Sequence, residues 1–131
     1  MSEKFECFKC GDYTFACRGW ETSRAWGHEV FLLNGASEVG RARYRYYNRT
    51  WECYRFQSAM FGAIEDYKKQ ELARYLNNRK IELGLRGFDE NWNEFEKPWR
   101  RGEKKREVDA FEETEVAKQI KELEKFVRRD K

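Results

Sequence analysis

Apolar and polar residues alternate along most of the first 47 positions, and the alternation stops at short groups of turn-forming residues. A period of two is typical of β-strands, whose side chains point to opposite faces in turn. Gly11-Asp12 and Asn34-Gly35 interrupt the pattern, and Asn-Gly is a strong hairpin signal because both residues tolerate a positive φ. The pattern predicts a four-stranded antiparallel meander with strands at 4–9, 13–20, 28–33 and 38–47.

The fourth predicted strand carries two kinds of side chain in alternation. Because alternate residues of a strand share a face, one face collects arginines and the other collects small and aromatic residues. We expect the apolar face to pack against a helix and the arginines to face solvent. The two sets are Arg41, Arg43 and Arg45, and Ala42, Tyr44 and Tyr46.

From residue 51 the apolar residues recur every three or four positions, which is typical of a helix with one buried face. Asn48 and Thr50 are both candidate N-caps. We expect a helix from Trp51 to Leu83, with Trp51 closing one end of the core. Such a helix would be about 50 Å long, so its second half overhangs the sheet or turns near residues 77–78. Its apolar stripe comprises Cys53, Phe56, Met60, Ile64 and Tyr67, with Trp51, Tyr54 and Phe61 beside it.

Residues 84–109 hold three glycines and the only proline without a sustained period, which predicts an extended arm. Asp109 opens a capping-box pattern, so a C-terminal helix is expected over residues 110–129. Two apolar positions in seven favour a helix that docks along a groove or against a partner helix, so self-association through residues 110–131 is one alternative. The narrow seam comprises Val116, Ile120, Leu123 and Val127.

Together these elements predict an α+β fold. It consists of a four-stranded antiparallel β-meander packed on one long helix, followed by an irregular arm and a C-terminal helix. The predicted division is a meander-plus-helix domain over 1–83, a charged and aromatic arm over 84–109, and an amphipathic helix over 110–131.

The composition narrows the classes of function. The chain is 39% charged and 17% aromatic, with a net charge of only +3, so its total charge does not indicate a polyanionic partner. No apolar run approaches the roughly 20 residues that a membrane span requires. We therefore expect a cytoplasmic protein with reduced cysteines and no membrane partner.

The cysteines and the single histidine are the candidates for metal or catalytic chemistry. Cys7 and Cys10 form a CxxC pair that Cys17, His28 or Cys53 could complete as a zinc site. No second clustered pair exists, so we interpret the cysteines as small apolar residues, with zinc as the alternative. His28 has no recognisable nucleophile or carboxylate beside it, and no phosphate-binding glycine motif occurs. We expect no enzyme, cofactor, catalytic residue or metal.

The arginine row is the first candidate partner-binding surface. Arg41, Arg43 and Arg45 would project from one sheet face, with Arg49 and Arg55 close by in sequence. Guanidinium groups can pair with carboxylates of a protein or with phosphates of a nucleic acid. The third interpretation is a solvated face whose arginines pair with Glu29 or Glu38 across strands.

The arm is the second candidate surface. Trp92 and Phe95 stand among carboxylates, a pattern typical of a segment that docks through aromatic anchors with a charged rim. The alternative is that these rings pack back onto the protein. A basic group follows and completes the predicted partner-binding set: Arg100, Arg101, Lys104 and Lys105.

Residues 46–60, YYNRTWECYRFQSAM, resemble a strand-to-helix element of small phage and prophage proteins, with the pattern NRTWE-x-Y-x-[FY]-QS. The resemblance covers roughly residues 4–67, including the short hairpin that begins those proteins. It implies a fold rather than a chemical activity. Small phage proteins of this type often bind and block host machinery such as CRISPR nucleases and restriction systems.

The resemblance and the charge pattern together predict a non-enzymatic binding protein in the host cytoplasm. Its expected target is a host protein or ribonucleoprotein, such as a defence nuclease, contacted directly and thereby inhibited. The alternative is a nucleic-acid-binding regulator that uses the arginine-rich sheet face.

Overall fold

The computed structural model describes residues 4–46 and 56–129 and confirms the α+β class. Four strands pair in sequence order as an antiparallel sheet, β1-β2-β3-β4. The third strand begins earlier than predicted, at Trp26, because Trp26 pairs with Glu21 across one interface and with Tyr46 across the other. The bounds are β1 (Glu6–Cys10), β2 (Tyr13–Glu21), β3 (Trp26–Asn34) and β4 (Ser37–Tyr46).

Both predicted hairpin turns are present. Gly11 has φ of 60° and Gly35 has φ of 62°, values that glycine adopts without the clash a Cβ would cause. The two turns are tied together, since the amide of Gly35 donates to the carbonyl of Asp12 at 3.1 Å. The turn chemistry thus sets the register of the meander.

Helix α1 (Gln57–Glu82) covers one face of the sheet. Met60, Ile64 and Tyr67 of the predicted stripe are buried, and the Tyr67 hydroxyl lies 2.9 Å from that of Tyr13. The approach to β4 is close, because a Cβ at Gly40 would overlap the Ala63 carbonyl oxygen and lie 3.1 Å from the Tyr67 nitrogen. The predicted cap residues Asn48 and Thr50, with Trp51, Cys53 and Tyr54, lie outside the described residues.

The C-terminal helix, α3 (Glu115–Arg129), packs on the same sheet face as α1. The ring of Phe126 stacks on Phe15 with centroids 6.1 Å apart, and Gln57 Nε2 donates to the Val127 carbonyl at 3.1 Å. Three seam residues, Ile120, Leu123 and Val127, are therefore buried within the protomer, and the helix docks in a groove of its own chain.

The prediction that Asp109 caps the C-terminal helix is wrong. Asp109 lies inside helix α2 (Glu103–Phe111), and a break separates α2 from α3. Thr114 stands at that break: its hydroxyl donates to the Phe111 carbonyl at 2.6 Å and accepts from the Ala117 amide at 3.3 Å. A threonine that satisfies an otherwise unpaired amide of the first turn acts as an N-cap.

Residues 84–109 are not an irregular arm. They contain a hairpin, β5 (Arg86–Phe88) with β6 (Glu94–Glu96), and most of α2. Buried Leu85 and Phe111 provide apolar anchors, and Phe111 packs on Tyr75 with ring centroids 5.6 Å apart. Helix α1 also runs through residues 77–78 without turning.

The chain divides into two compact units. The sheet unit comprises residues 1–68 and 120–131, and the hairpin unit comprises residues 69–119. This division differs from the predicted one because α1 and α3 each contribute residues to both units. Of the helices that the structure describes, none is long and apolar enough to cross a membrane.

The close approach at Gly40 generates a stability prediction. We expect Gly40→Ala to lower the free energy of unfolding by about 1–3 kcal/mol, since the new Cβ would meet backbone atoms of α1 that cannot move independently. Urea denaturation monitored by circular dichroism would measure the loss.

Gly19→Ala is the matched control, because it adds the same methyl group to a strand of the same sheet. Its nearest neighbour would be the Gly27 carbonyl oxygen at 3.8 Å, an ordinary contact. We expect Gly19→Ala to leave the unfolding midpoint unchanged or to raise it. Equal midpoints for the two variants would contradict the packing described here.

Candidate functional site

Strand β4 divides its side chains between the two faces of the sheet. Ala42 and Tyr44 face α1, since a Cβ at Gly62 would lie 2.9 Å from the Ala42 Cβ and 2.6 Å from the Tyr44 hydroxyl. The alternate residues therefore point away from the helices, and all three are exposed. These residues are Arg41, Arg43 and Arg45.

Aromatic rings from the other strands share this outer face. Phe31 of β3 lies opposite Arg41, and Trp20 of β2 lies opposite Gly27, which in turn faces Arg45. Phe5, just before β1, contacts Phe31 edge-on with ring centroids 6.2 Å apart. The arginine–aromatic face comprises Phe5, Arg18, Trp20, Phe31, Arg41, Arg43 and Arg45.

Guanidinium groups lie over these rings. Arg43 Cζ lies 4.4 Å from the centroid of the Trp20 ring, and Arg41 Cζ lies 5.4 Å from that of Phe31. Arg18 Cζ lies 5.3 Å from the Phe5 ring and 5.8 Å from the Phe31 ring. Each such contact contributes about 0.5–1 kcal/mol at an exposed site and restricts the arginine side chain before any partner arrives.

Two carboxylates also occupy the neighbourhood of this face. Arg41 donates to both carboxylate oxygens of Glu38, at 3.0 and 2.8 Å, and these bonds raise the pKa of the Arg41 guanidinium. Arg18 Nε donates to Glu29 at 2.7 Å. Glu38 thus pairs with an arginine of the row, but within β4 rather than across strands, and Glu29 pairs with Arg18 of β2 rather than with the row. The face is mixed in charge.

An open cleft lies at one end of the face. It has a volume of about 340 Å³ and is lined by Trp20, Thr22, Arg43 and Arg45. The Trp20 ring lies close to the backbone of β3, because a Cβ at Gly27 would be 2.6 Å from it. Thr22 is held by its hydroxyl, which donates to the Ala25 carbonyl at 3.1 Å. Such a cleft can receive an anionic group between guanidinium donors and a flat ring.

Arg49 and Arg55, the other two arginines predicted for this surface, lie outside the described residues. Sequence reasoning identified the β4 arginines but missed the rings beneath them. The sequence could have indicated these rings, because the register of the two hairpins places them on the same face as the arginine row. They are Trp20, Phe31 and Phe5.

The two cysteines of the CxxC pair do not point toward a common metal position. Cys7 and Cys10 are three residues apart on β1, so their side chains leave opposite faces of the sheet. Cys17 is fully buried, and burial raises the pKa of its thiol to about 12, which keeps it protonated and a poor ligand or nucleophile. Among the described residues no group of three His, Cys, Asp or Glu could hold a metal ion.

His28 lies on the inner face, enclosed by aromatic rings. Its centroid is 4.6 Å from that of Phe56 and 5.4 Å from those of Trp26 and Tyr46. Its Nδ1 is buried and has no hydrogen-bond partner within residues 4–46 and 56–129. Burial lowers the pKa of this imidazole, because the protonated form is less well solvated there.

The second candidate surface lies in the hairpin unit. Trp92 is 82% exposed, as an anchor requires, but Phe95 is half-buried and packs beside Gly87. Phe88 is exposed instead, at 63%, and its ring lies 6.3 Å from that of Trp92. The alternation within the hairpin could have indicated this, since Phe88 and Phe95 are not cross-strand partners.

The predicted basic group stands around the start of α2. Its four members are exposed, and in the described part of the chain none of them forms an ion pair. Gly102, the N-cap residue, has φ of 77° and provides no side-chain cap. The basic residues therefore add their charge to the positive end of a helix. They are Arg100, Arg101, Lys104 and Lys105.

A comparison of the chain with protein-family models, with curated proteins and with solved structures gave no match.

The enclosed histidine generates a pH prediction. Because the pKa of His28 is lower in the folded state, the unfolded chain binds a proton more readily than the folded protein does. The contribution of His28 to the free energy of unfolding is therefore complete above pH 6.5 and decreases as the pH falls toward the lowered pKa. We expect the free energy of unfolding to fall between pH 7 and pH 5, with each pKa unit of depression contributing about 1.4 kcal/mol.

His28→Phe is the comparison variant, since a phenyl ring suits the aromatic surroundings and does not titrate. His28 is the only histidine in the chain, so the difference between the two pH profiles isolates its contribution. Urea unfolding at pH 7, 6 and 5 measures both. Parallel profiles for the two proteins would contradict the assigned environment.

Proposed function

We propose that this protein is a non-enzymatic binding protein of a phage or another mobile element. It inhibits a host defence complex, such as a CRISPR nuclease, by direct protein contact in the host cytoplasm. The contact surface is the arginine–aromatic face. The observation that carries the proposal is the guanidinium of Arg43 stacked 4.4 Å above the Trp20 ring at the edge of an open cleft.

This face has the composition of an interface hot spot. Arginine and tryptophan are enriched where binding energy concentrates, because each combines a large apolar area with directed hydrogen bonds. Stacked arginines lose less side-chain freedom on binding than solvated ones do. The partner complementary to these guanidinium groups presents carboxylates around an apolar centre, with one acidic group entering the cleft between Arg43 and Arg45.

The origin and target rest on the resemblance of residues 46–60 to a phage and prophage element. Phage proteins of this type block host machinery, and a face preorganised for an acidic surface suits that role.

A nucleic-acid-binding regulator is the second candidate, and the presence of aromatic rings on this face favours it. Sheet faces that combine aromatic rings with arginines bind single strands by stacking on bases and pairing with phosphates. The net charge of the chain is only +3, which provides little of the sequence-independent attraction that binding to a phosphate backbone requires, and the protein partner is therefore preferred.

Reversing the charge of the row tests the face. We expect the variant with Arg41→Glu, Arg43→Glu and Arg45→Glu to lose at least about tenfold in partner capture, because the introduced glutamates would then face the carboxylates of the partner. Quantitative mass spectrometry of proteins captured from host lysate measures the loss, and inhibition of the captured nuclease in DNA cleavage tests the function.

Lys69→Glu, Lys118→Glu and Arg128→Glu form the matched control, which makes the same change in net charge at exposed residues of the helices. Both triple variants should unfold cooperatively, and the row variant should have the lower midpoint, because it loses the contacts of Arg41 and Arg43 with the rings and the pairing of Arg41 with Glu38. Capture that is equally strong with both, or equally weakened in both, would remove the arginine–aromatic face as the contact surface.

A salt titration separates the two candidates. If the three arginines bind phosphates, the purified protein should bind a labelled single strand of nucleic acid. The slope of log affinity against log salt concentration should then be about −2. We expect no such binding at physiological salt, with capture of the protein partner retained. Tight, steeply salt-dependent binding of the strand would favour the regulator instead.

A further inference from the structure

The loop of the β5–β6 hairpin is held in one conformation by its own hydrogen bonds. The Asp89 carboxylate accepts from the amides of Asn91 at 2.9 Å and Asn93 at 2.8 Å. The backbone closes the same loop, since Asp89 N donates to the Asn93 carbonyl at 2.9 Å and Trp92 N donates to that of Asp89 at 3.0 Å. A side chain carried by this loop is therefore presented in a defined position.

The base of the hairpin is equally well anchored. Lys97 N donates to the Leu85 carbonyl at 2.6 Å, and Leu85 is buried. Lys80 of α1 forms an ion pair with Glu96 at 2.8 Å, which lowers the pKa of that carboxyl group. Arg86 Nη1 also donates to Asn77 Oδ1 at 2.5 Å. The base of the hairpin is thus held in place by contacts with α1.

This anchored loop presents two large rings to solvent. Trp92 is 82% exposed and Phe88 is 63% exposed, with their centroids 6.3 Å apart. Trp92 also has φ of 62°, in the left-handed region where a bulky side chain is disfavoured and glycine or asparagine would be more comfortable. A tryptophan that is both exposed and conformationally disfavoured contributes little to folding at that position.

The charge around the rings limits what they can bind. Asp89, Glu90 and Glu94 flank the two rings and are exposed. Within residues 4–46 and 56–129 the ion pair found for these three carboxylates is that of Glu94 with Arg86 at 3.4 Å, and Asp89 also accepts from two backbone amides. Carboxylates at this density repel the phosphates of a nucleic acid and of a lipid surface. Aromatic rings and carboxylates together attract guanidinium and ammonium groups.

We propose that the hairpin tip, formed by Phe88 and Trp92 with Asp89, Glu90 and Glu94, is a docking site for an arginine-rich segment of a protein partner. One guanidinium stacks against the two rings, and neighbouring basic side chains pair with the carboxylates. This inference goes beyond the proposed function, since it uses a different surface and a partner of opposite charge, and it holds whether or not the arginine–aromatic face binds.

Trp92→Gly in the full-length protein tests the site, because it removes the ring and relieves the disfavoured φ. The probe is a fluorescein-labelled peptide of alternating arginine and glycine, followed by fluorescence anisotropy. We expect the variant to bind the peptide at least tenfold more weakly while its urea midpoint stays equal to wild type or rises. Phe88→Ala should weaken binding in the same direction.

Ile81→Ala is the control, since Ile81 is another exposed large apolar residue of the same unit, at 51%. It should bind the peptide as the wild type does, and a glutamate–glycine peptide should bind none of the proteins. Unchanged peptide affinity in Trp92→Gly, or no binding by the wild type, overturns the proposal.

Two further outcomes also overturn the proposal. A clear fall in the urea midpoint of Trp92→Gly would show that the ring packs structurally. Concentration-dependent self-association of the wild type that Trp92→Gly abolishes, measured by analytical ultracentrifugation, would make a second copy of the chain the occupant.

Discussion

The contact between β4 and α1 is the constraint on which the sheet unit depends. Gly40 leaves no room for a side chain beneath the backbone of α1, and Gly62 leaves none beside Ala42 and Tyr44. Because successive side chains of a strand point to opposite faces, packing of this face of β4 against the helix leaves the alternate residues on the opposite, solvent-facing side. The exposure of Arg41, Arg43 and Arg45 is therefore a consequence of close packing on the other side of the strand.

The outward arginines are not equivalent, because their neighbours differ. Arg41 is fixed by Glu38, whereas Arg43 is fixed by the uncharged ring of Trp20. An arginine that stacks on a ring keeps its hydrogen-bond donors for a partner, while one that already pairs with a carboxylate must exchange that partner. The end of the face that contains the cleft is thus the part best prepared to accept an acidic group.

The hairpin unit is stabilised in a different way, through ion pairs around a small apolar centre. Glu107 of α2 accepts from Arg79 of α1 at 2.8 Å, which lowers the pKa of the Glu107 carboxyl group. The Tyr75 hydroxyl donates to the same carboxylate at 3.4 Å, and burial together with this negative charge raises the pKa of the phenol. These directional contacts hold α2 against α1, while Phe88 and Trp92 at the hairpin tip remain exposed.

Local chemistry explains which parts of the fold could be predicted. The turns at Gly11 and Gly35 and the stripe of Met60, Ile64 and Tyr67 follow from near-neighbour rules, so they appear in the sequence pattern. The end of a helix is harder to predict, because Asp109 and Thr114 are both acceptable caps. Asp109 lies within α2, which continues to Phe111, and the ring of Phe111 packs on Tyr75 of α1.

The candidate sites show the same division. By itself, the sequence determined the α+β class, the meander and the row of arginines. Each of these follows from the spacing of apolar and polar residues along the chain, which does not depend on contacts between distant segments. Only the tertiary structure decided that α3 covers the sheet beside α1, that rings lie beneath the guanidinium groups, and that Phe88 rather than Phe95 accompanies Trp92. The reason is physical: those arrangements depend on which distant residues compete for one surface, and cross-strand register and packing settle that competition.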